Sequence, residues 1–170
     1  MCGCNGSGKT TLGRALAAEL GYRFIDIEDC YFPKDSAGYA YDRARTREEA
    51  ESLLAEKIAE SENFVLAAVK GNFGRGIPAA FHTAVLISVP KEIRMRRVRE
   101  RSFQKFGERM LPGGDLYEKE EMFFRMVETR SEEDVESWLQ GVPCPVIPVD
   151  GTRPIEENVQ RIAGILRNRQ

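Results

Sequence analysis

Eight residues near the start of the chain, Gly3-Cys4-Asn5-Gly6-Ser7-Gly8-Lys9-Thr10, fit the pattern G-x-x-x-x-G-K-[ST]. The chemistry this spacing suits is the capture of phosphate. Gly3, Gly6 and Gly8 can take backbone angles denied to other residues, which turns successive N–H groups inward around an anion. A helix opening near Lys9 would add its positive N-terminal end. Lys9 can then reach terminal phosphates, and Thr10 can offer its hydroxyl to magnesium. The alternative is a chance glycine-rich turn, and the amphipathic helix that follows speaks against it.

Two carboxylates follow. Asp26 and Glu28 end the next expected strand, where alternation points them the same way. Parallel α/β sheets place ligands at the carboxyl ends of their strands. One carboxylate is thus suited to support magnesium and the other to hold or deprotonate an acceptor hydroxyl. Ordinary solvated acids at a strand end are the alternative.

Further along, Arg94, Arg97 and Arg101 fall at i, i+3 and i+7 on one helix face. Like charges at this spacing cost a helix about 0.2–0.5 kcal/mol per pair. A polyphosphate would reverse that sign, because arginine grips phosphate oxygens with paired hydrogen bonds. A solvated basic face, partly offset by Glu92 and Glu100, is the competing reading. The segment QKFGERMLPGGDL after it carries glycines that suit a flexible cover, a lid.

The elements that must position these groups can be read in order. Leu12, Leu16 and Leu20 make one stripe of a helix that Gly21 is placed to end. Residues 22–27 alternate as a strand. A loop containing Pro33, Gly38 and three tyrosines occupies residues 30–45. Thr46-Arg47-Glu48-Glu49 is a capping-box pattern opening a helix to about residue 61. Residues 63–69 and 84–89 read as buried strands, the second ended by Pro90 and followed by the arginine-bearing helix. Residues 111–115 break that helix, and two more follow, over 116–129 and from the cap at Ser131 to Gln140. A short strand over 145–149 precedes a terminal helix with Ile155, Val159, Ile162 and Leu166 on one face. Strands alternating with helices indicate an α/β domain with a mainly parallel sheet.

Composition agrees. The chain has 170 residues, the length of one domain, with 42% hydrophobic and 31% charged residues. A net charge of -2 supplies no global field for nucleic acid. Cys2, Cys4, Cys30 and Cys144 lack zinc-finger spacing, and the one histidine, His82, lies far from them. Cys2 and Cys4 are expected to fill small spaces beside the loop. No apolar run reaches membrane-spanning length. Free thiols without an export signal point to the cytoplasm.

Taken together, these motifs resemble the small P-loop kinases of the adenylate kinase, shikimate kinase and gluconate kinase group, over nearly the whole chain. The resemblance implies a three-layer P-loop fold with residues 97–130 as lid, and ATP and magnesium as cofactors. It carries nucleotide binding onto residues 3–11, that is Gly3, Cys4, Asn5, Gly6, Ser7, Gly8, Lys9, Thr10 and Thr11. FIDIED is similar to the strand-end acidic motif of shikimate-kinase-like enzymes, which implies a metal role for Asp26 and a substrate role for Glu28. RVRER resembles the paired lid arginines of nucleoside monophosphate kinases, so Arg97 and Arg101 inherit a phosphate clamp. DGTRP resembles the segment near the adenine, implying contacts from Gly151, Thr152 and Arg153. A likeness to uncharacterised bacterial ATP-binding proteins with an FGxRxLPGGD segment names no substrate. VKGNFG stands where shikimate kinases have a glycine-rich substrate loop, and only Gly71 fits it. The acceptor-binding cation is one of Arg43, Arg45, Arg47 and Lys70.

The implied reaction is ATP-dependent phosphotransfer to a small-molecule acceptor, a nucleotide, a nucleoside or a shikimate-like acid. The rivals are an ATP-binding regulatory module or slow NTPase, docking through Val135, Trp138 and Leu139, and a nucleic-acid-associated ATPase. In the kinase group a central strand precedes the phosphate loop, in the order 2-3-1-4-5, whereas only Met1 and Cys2 precede it here. A strand of the usual five or six residues cannot be made from two. The expectation is therefore a first strand cut short, a gap in the core, and a natural start several apolar residues upstream.

Overall fold

The computed structural model describes residues 1–33, 39–74 and 76–168. Gly38 of the expected loop lies outside the described residues. Seven helices are present among them: α1 (Lys9–Leu20), α2 (Ile27–Tyr31), α3 (Arg47–Ala59), α4 (Lys91–Phe106), α5 (Tyr117–Glu128), α6 (Glu132–Leu139) and α7 (Ile155–Arg167). The four strands are β1 (Arg23–Asp26), β2 (Phe64–Ala67), β3 (Ala84–Ser88) and β4 (Val146–Asp150).

All strand pairing is parallel: β1 lies beside β2, and β3 beside β4. Met1–Gly3 lie between the two pairs and join them. On one side the Met1 nitrogen donates to Leu66 O at 2.7 Å, Ala68 N donates to Met1 O at 3.1 Å, and Gly3 N donates to Val69 O at 3.2 Å. On the other side Cys2 N donates to Val85 O at 2.8 Å and Ile87 N to Cys2 O at 2.9 Å. The spatial order is thus β1, β2, residues 1–3, β3, β4. Where these residues stop, β2 and β3 part around a cavity of about 760 Å³ lined by Leu16, Tyr22, Phe64, Phe81 and Trp138 among others.

Alternation along the strands sorts side chains into layers. Val65, Val85 and Ile87 face α1 and α7, where Leu12, Leu16, Val159 and Ile162 complete a core. Leu66, from the opposite face of β2, packs with Ile25 against Ala50 and Leu54 of α3. Cys2, Cys4 and Ala84 meet Val135 and Leu139 of α6. Those two α6 residues are core, with Trp138 packed against them, so α6 does not offer the apolar docking face considered from sequence. A separate small core of Val98, Met110, Phe124 and Val127 joins α4 to α5.

Local signals account for most element ends. Gly21 closes α1 in a left-handed conformation, and Thr46 with Glu49 forms the complete capping box of α3. The chief difference lies after β1. The strand stops at Asp26, which caps a short helix by accepting a hydrogen bond from Glu28 N at 3.1 Å. Glu28 is therefore in the first turn of α2, not on a strand. The helix α4 runs to Phe106 and gives way to a single tight turn over Gly107–Met110, just ahead of the break expected at 111–115.

Because Ile162 is fully buried between α1 and the sheet, Ile162→Ala is expected to cost about 2–5 kcal/mol. Urea unfolding of the two proteins measures the difference.

Candidate functional site

The sheet delivers residues 3–8 at the carboxyl edge of β2 and β3, with α1 leading away from them. Gly8 caps α1 at φ 94° and Gly6 sits at φ 80°, both in the left-handed region. A Cβ on Gly6 would collide with the carbonyl of Arg94, so the loop can pack against the first turn of α4 only as glycine. Lys9 folds over the loop, its Nζ donating to Cys4 O at 2.9 Å. Behind the loop the Cys4 thiol is fully buried and donates to Ser131 O at 3.3 Å, and burial pushes its pKa up. Cys4 therefore fills space, as its position suggests.

In front of the loop lies a cavity of about 650 Å³, within the usual size range of small-molecule sites. It is lined by Asn5, Gly6, Gly8, Lys9, Thr10 and Thr11 from the loop and α1. Asp26 and Glu28 line it from the β1–α2 junction, and Arg97 and Arg101 from α4. Gly3, Cys4 and Ser7 stand outside this lining. The Gly151 carbonyl accepts hydrogen bonds from both terminal nitrogens of Arg97, at 3.2 and 3.3 Å. Thr152 is turned to Asp150, and Arg153 pairs with Glu157 at 2.6 Å. Neither lines the cavity.

The arginine row separates by depth, since seven residues of helix span about 10 Å. Arg94 is 3% exposed, donates through Nε to Val89 O at 3.0 Å and faces Glu132 at 3.7 Å. It belongs to the core, not to an anion clamp. Arg97 ties α4 to Gly151 and lines the cavity, while Arg101 lines it without an ion pair among the described residues. The four candidate acceptor cations also divide. Arg45 is bound to Cys30 O, Arg47 to Glu51 and Asn72 O, and Arg43 is exposed. Lys70 alone of the four lines the cavity.

Several lining residues carried no sequence signal. Arg130, in the junction between α5 and α6, donates to Asn5 Oδ1 at 2.5 Å. It belongs to no helical stripe, and only the fold brings it to the loop. A set of rings also lines the cavity: Tyr31, Phe32, Tyr41, Phe73 and Phe123. Tyr41 stacks on Phe123 with ring centres 5.6 Å apart and meets Phe32 edge-on at 4.8 Å. The turn that carries Tyr41 (Ala40–Arg43) is fastened to α5. Tyr39 donates to the fully buried Glu120 at 2.6 Å, and Lys119 pairs with Asp42 at 2.5 Å.

The electrostatics centre on Lys9. Desolvation pushes its pKa down to about 8, against the pull of Glu28 and other anions nearby. The Tyr41 phenol is pushed up by burial and by the Glu28 charge. Thr10 Oγ1 donates to Asp26 Oδ2 at 2.8 Å. No group of three or more His, Cys, Asp or Glu that could hold a metal occurs among the described residues. A cation beside Thr10 and Asp26 would thus take most of its ligands from water and phosphate, which is the habit of magnesium. No helix among the described residues is long and apolar enough to cross a membrane.

A family model described as an AAA domain matches residues 1–110. The chain is 27% identical over 174 residues to a Bacillus subtilis (strain 168) protein named "Uncharacterized protein YqaC", with 98% of this chain and 95% of that one covered. Among solved structures it is similar to a deoxyadenosine kinase from M. mycoides with bound dATP, at TM-score 0.62 and 14% identity, covering 98% of this chain and 97% of that one. It is also similar to a shikimate kinase from Acinetobacter baumannii in complex with shikimate, at TM-score 0.59 and 17% identity, covering 99% and 92%. The shared property is the fold, the α/β arrangement of the P-loop kinases with parallel strands between helices. This bears out the fold expected from the motifs.

A phosphate anion beside Lys9 stabilises its charged form and so raises the depressed pKa. Above pH 8 binding must therefore take up a proton, and affinity falls as pH rises through that value. Calorimetry of tripolyphosphate binding at pH 8.5, in buffers of different ionisation enthalpy, should show this uptake. In Lys9→Arg, charged throughout, the uptake should vanish.

Proposed function

The chain belongs to the AAA domain family, and on that premise we propose that it is an ATP-dependent phosphotransferase acting on a small-molecule acceptor. The observation that carries the reading is one cavity in which a phosphate loop and a carboxylate share space with a wall of rings. Lys9, Thr10 and Glu28 line it together, Glu28 without an ion pair among the described residues. A hydrolase would use such a carboxylate to orient water. The wall of Tyr31, Phe32, Tyr41, Phe73 and Phe123 gives the same cavity room for a larger acceptor, whose hydroxyl Glu28 can receive. Solved structures of a deoxyadenosine kinase and a shikimate kinase share the fold.

In this reading Asn5, Gly6, Gly8, Lys9, Thr10 and Thr11 hold the β- and γ-phosphates of ATP, with the Lys9 ammonium and the N-terminus of α1 as the two positive partners. Gly3, Cys4 and Ser7 support the loop from behind. Thr10 and Asp26 would hold magnesium, which when bound neutralises phosphate charge and orients the transferring group. Glu28 accepts the proton of the acceptor hydroxyl as its oxygen forms the new bond to the γ-phosphorus. The bond from that phosphorus to the β–γ bridging oxygen breaks, and ADP departs with the electron pair. Arg97, Arg101 and Arg130 stabilise charge on the group in transfer. Residues 97–130, with their own small core, act as the lid of a single 170-residue domain. Gly151 shapes the base end of the nucleotide site, with Thr152 and Arg153 at its outer edge. The reaction asks for neither nucleic acid nor membrane, and the protein's place is the cytoplasm.

ADP release from ATP and magnesium, followed across a panel of acceptors, tests this. One acceptor class is expected to raise release sharply, and Lys9→Ala to lower that rate by about 10²–10³-fold. Tight ATP binding with no acceptor response would instead favour a regulatory nucleotide-binding module.

A further inference from the structure

The acceptor end of the cavity has a composition that narrows what can occupy it. Besides Glu28, the cavity lining includes Tyr31, Phe32, Phe73 and Tyr41, with Phe123 and Met126 from α5. None of these side chains is buried, and Met126 is 40% exposed. Half-buried rings gathered on one cavity wall, each with part of its surface still open, suit contact with a ligand. Polar side-chain groups beside the rings are few: Glu28, the Tyr31 and Tyr41 phenols, Lys70, Asn72 and Arg101. Among the described residues, the side chains of Glu28, Lys70 and Arg101 enter no ion pair.

A polyol acid fits this surface poorly. Each of its hydroxyls displaces water and needs a partner, and buried polar groups without one are costly. Phe32, Phe73 and Phe123 offer none. A flat heteroaromatic ring needs what is present, ring surface on its broad side and a small number of polar groups at its rim. We propose that the acceptor is a nucleobase-bearing molecule, a nucleoside or nucleoside monophosphate. Its base lies against Phe32, Tyr41 and Phe123, and its sugar or phosphate oxygen is presented to Glu28 and Arg101. The inference deepens the phosphotransfer reading and rests on it for the fate of that oxygen. Seating of the base is a separate property that binding alone reports.

The same rings also fasten the Tyr41 turn to α5, through Tyr41–Phe123 and the Tyr39–Glu120 bond. A role confined to fastening would show as altered stability with unaltered ring binding. The experiment is therefore equilibrium binding by calorimetry, on the full chain, of nucleosides, nucleoside monophosphates, shikimate and gluconate. It is repeated in Phe32→Leu and Tyr41→Leu, with ATP affinity and Tm recorded for each. Base-bearing ligands are expected to bind and the two polyol acids not to. Each substitution should weaken the base-bearing ligands by about five- to a hundredfold, with ATP affinity retained. Binding of shikimate or gluconate in place of the bases overturns the inference, as does base binding that both variants leave unchanged. Absence of base binding in a protein that still binds ATP overturns it too. Base binding without phosphate transfer upholds the ring site and counts against the phosphotransfer reading alone.

Discussion

The structure depends on the backbone pairing of three residues. Met1, Cys2 and Gly3 give and receive hydrogen bonds on both sides, to Leu66, Ala68 and Val69 from one pair of strands and to Val85 and Ile87 from the other. Without them, β1–β2 and β3–β4 are two separate ribbons among the described residues. With them there is one parallel surface, and the chain leaves its carboxyl edge as the phosphate loop. The position of Lys9 over Cys4 and of Thr10 beside Asp26 follows from that exit. So does the packing of Gly6 on Arg94, because α4 begins just past the end of the neighbouring strand β3.

Signals confined to neighbouring residues were legible in the sequence. The loop pattern, the capping box at Thr46, the apolar run of β3 and the α7 stripe apart from exposed Ile155 each depend on a few nearby side chains, and each appears where expected. What could not be read depends on depth and on distant segments meeting. Arg94 and Arg101 share a helix face by spacing, yet one is sealed under the loop and the other opens into the cavity. Periodicity fixes an angle around a helix but not how deeply each turn is buried. The placement of Glu28 on a strand failed for a local reason: Asp26 caps a helix, and its hydrogen bond from Glu28 N ends the strand at residue 26 and puts Glu28 in a helical turn. Arg130 and the rings of Phe32, Tyr41 and Phe123 come from four segments that no pattern joins.

Charge is distributed around the cavity with little mutual cancellation. Lys9, Lys70, Arg97, Arg101 and Arg130 line it with only Asp26, Glu28 and Asp134 as acids. An excess of cations in a partly dry cleft is unfavourable to the empty protein and becomes favourable when a polyanion enters; Lys9 carries a burial cost of its own, which lowers its pKa against the pull of Glu28 and Asp26. The net charge of the chain conceals this, since the compensating acids lie elsewhere.

The fastening of the Tyr41 turn to α5 has a mechanical consequence. Tyr39–Glu120, Asp42–Lys119 and Tyr41–Phe123 tie together two segments nearly eighty residues apart in the chain. Turn and helix are thus coupled through three contacts of different kinds, a buried hydrogen bond, an ion pair and a ring stack. A displacement of α5 would carry Tyr41 with it, so this wall of the cavity is set jointly by two distant parts of the chain.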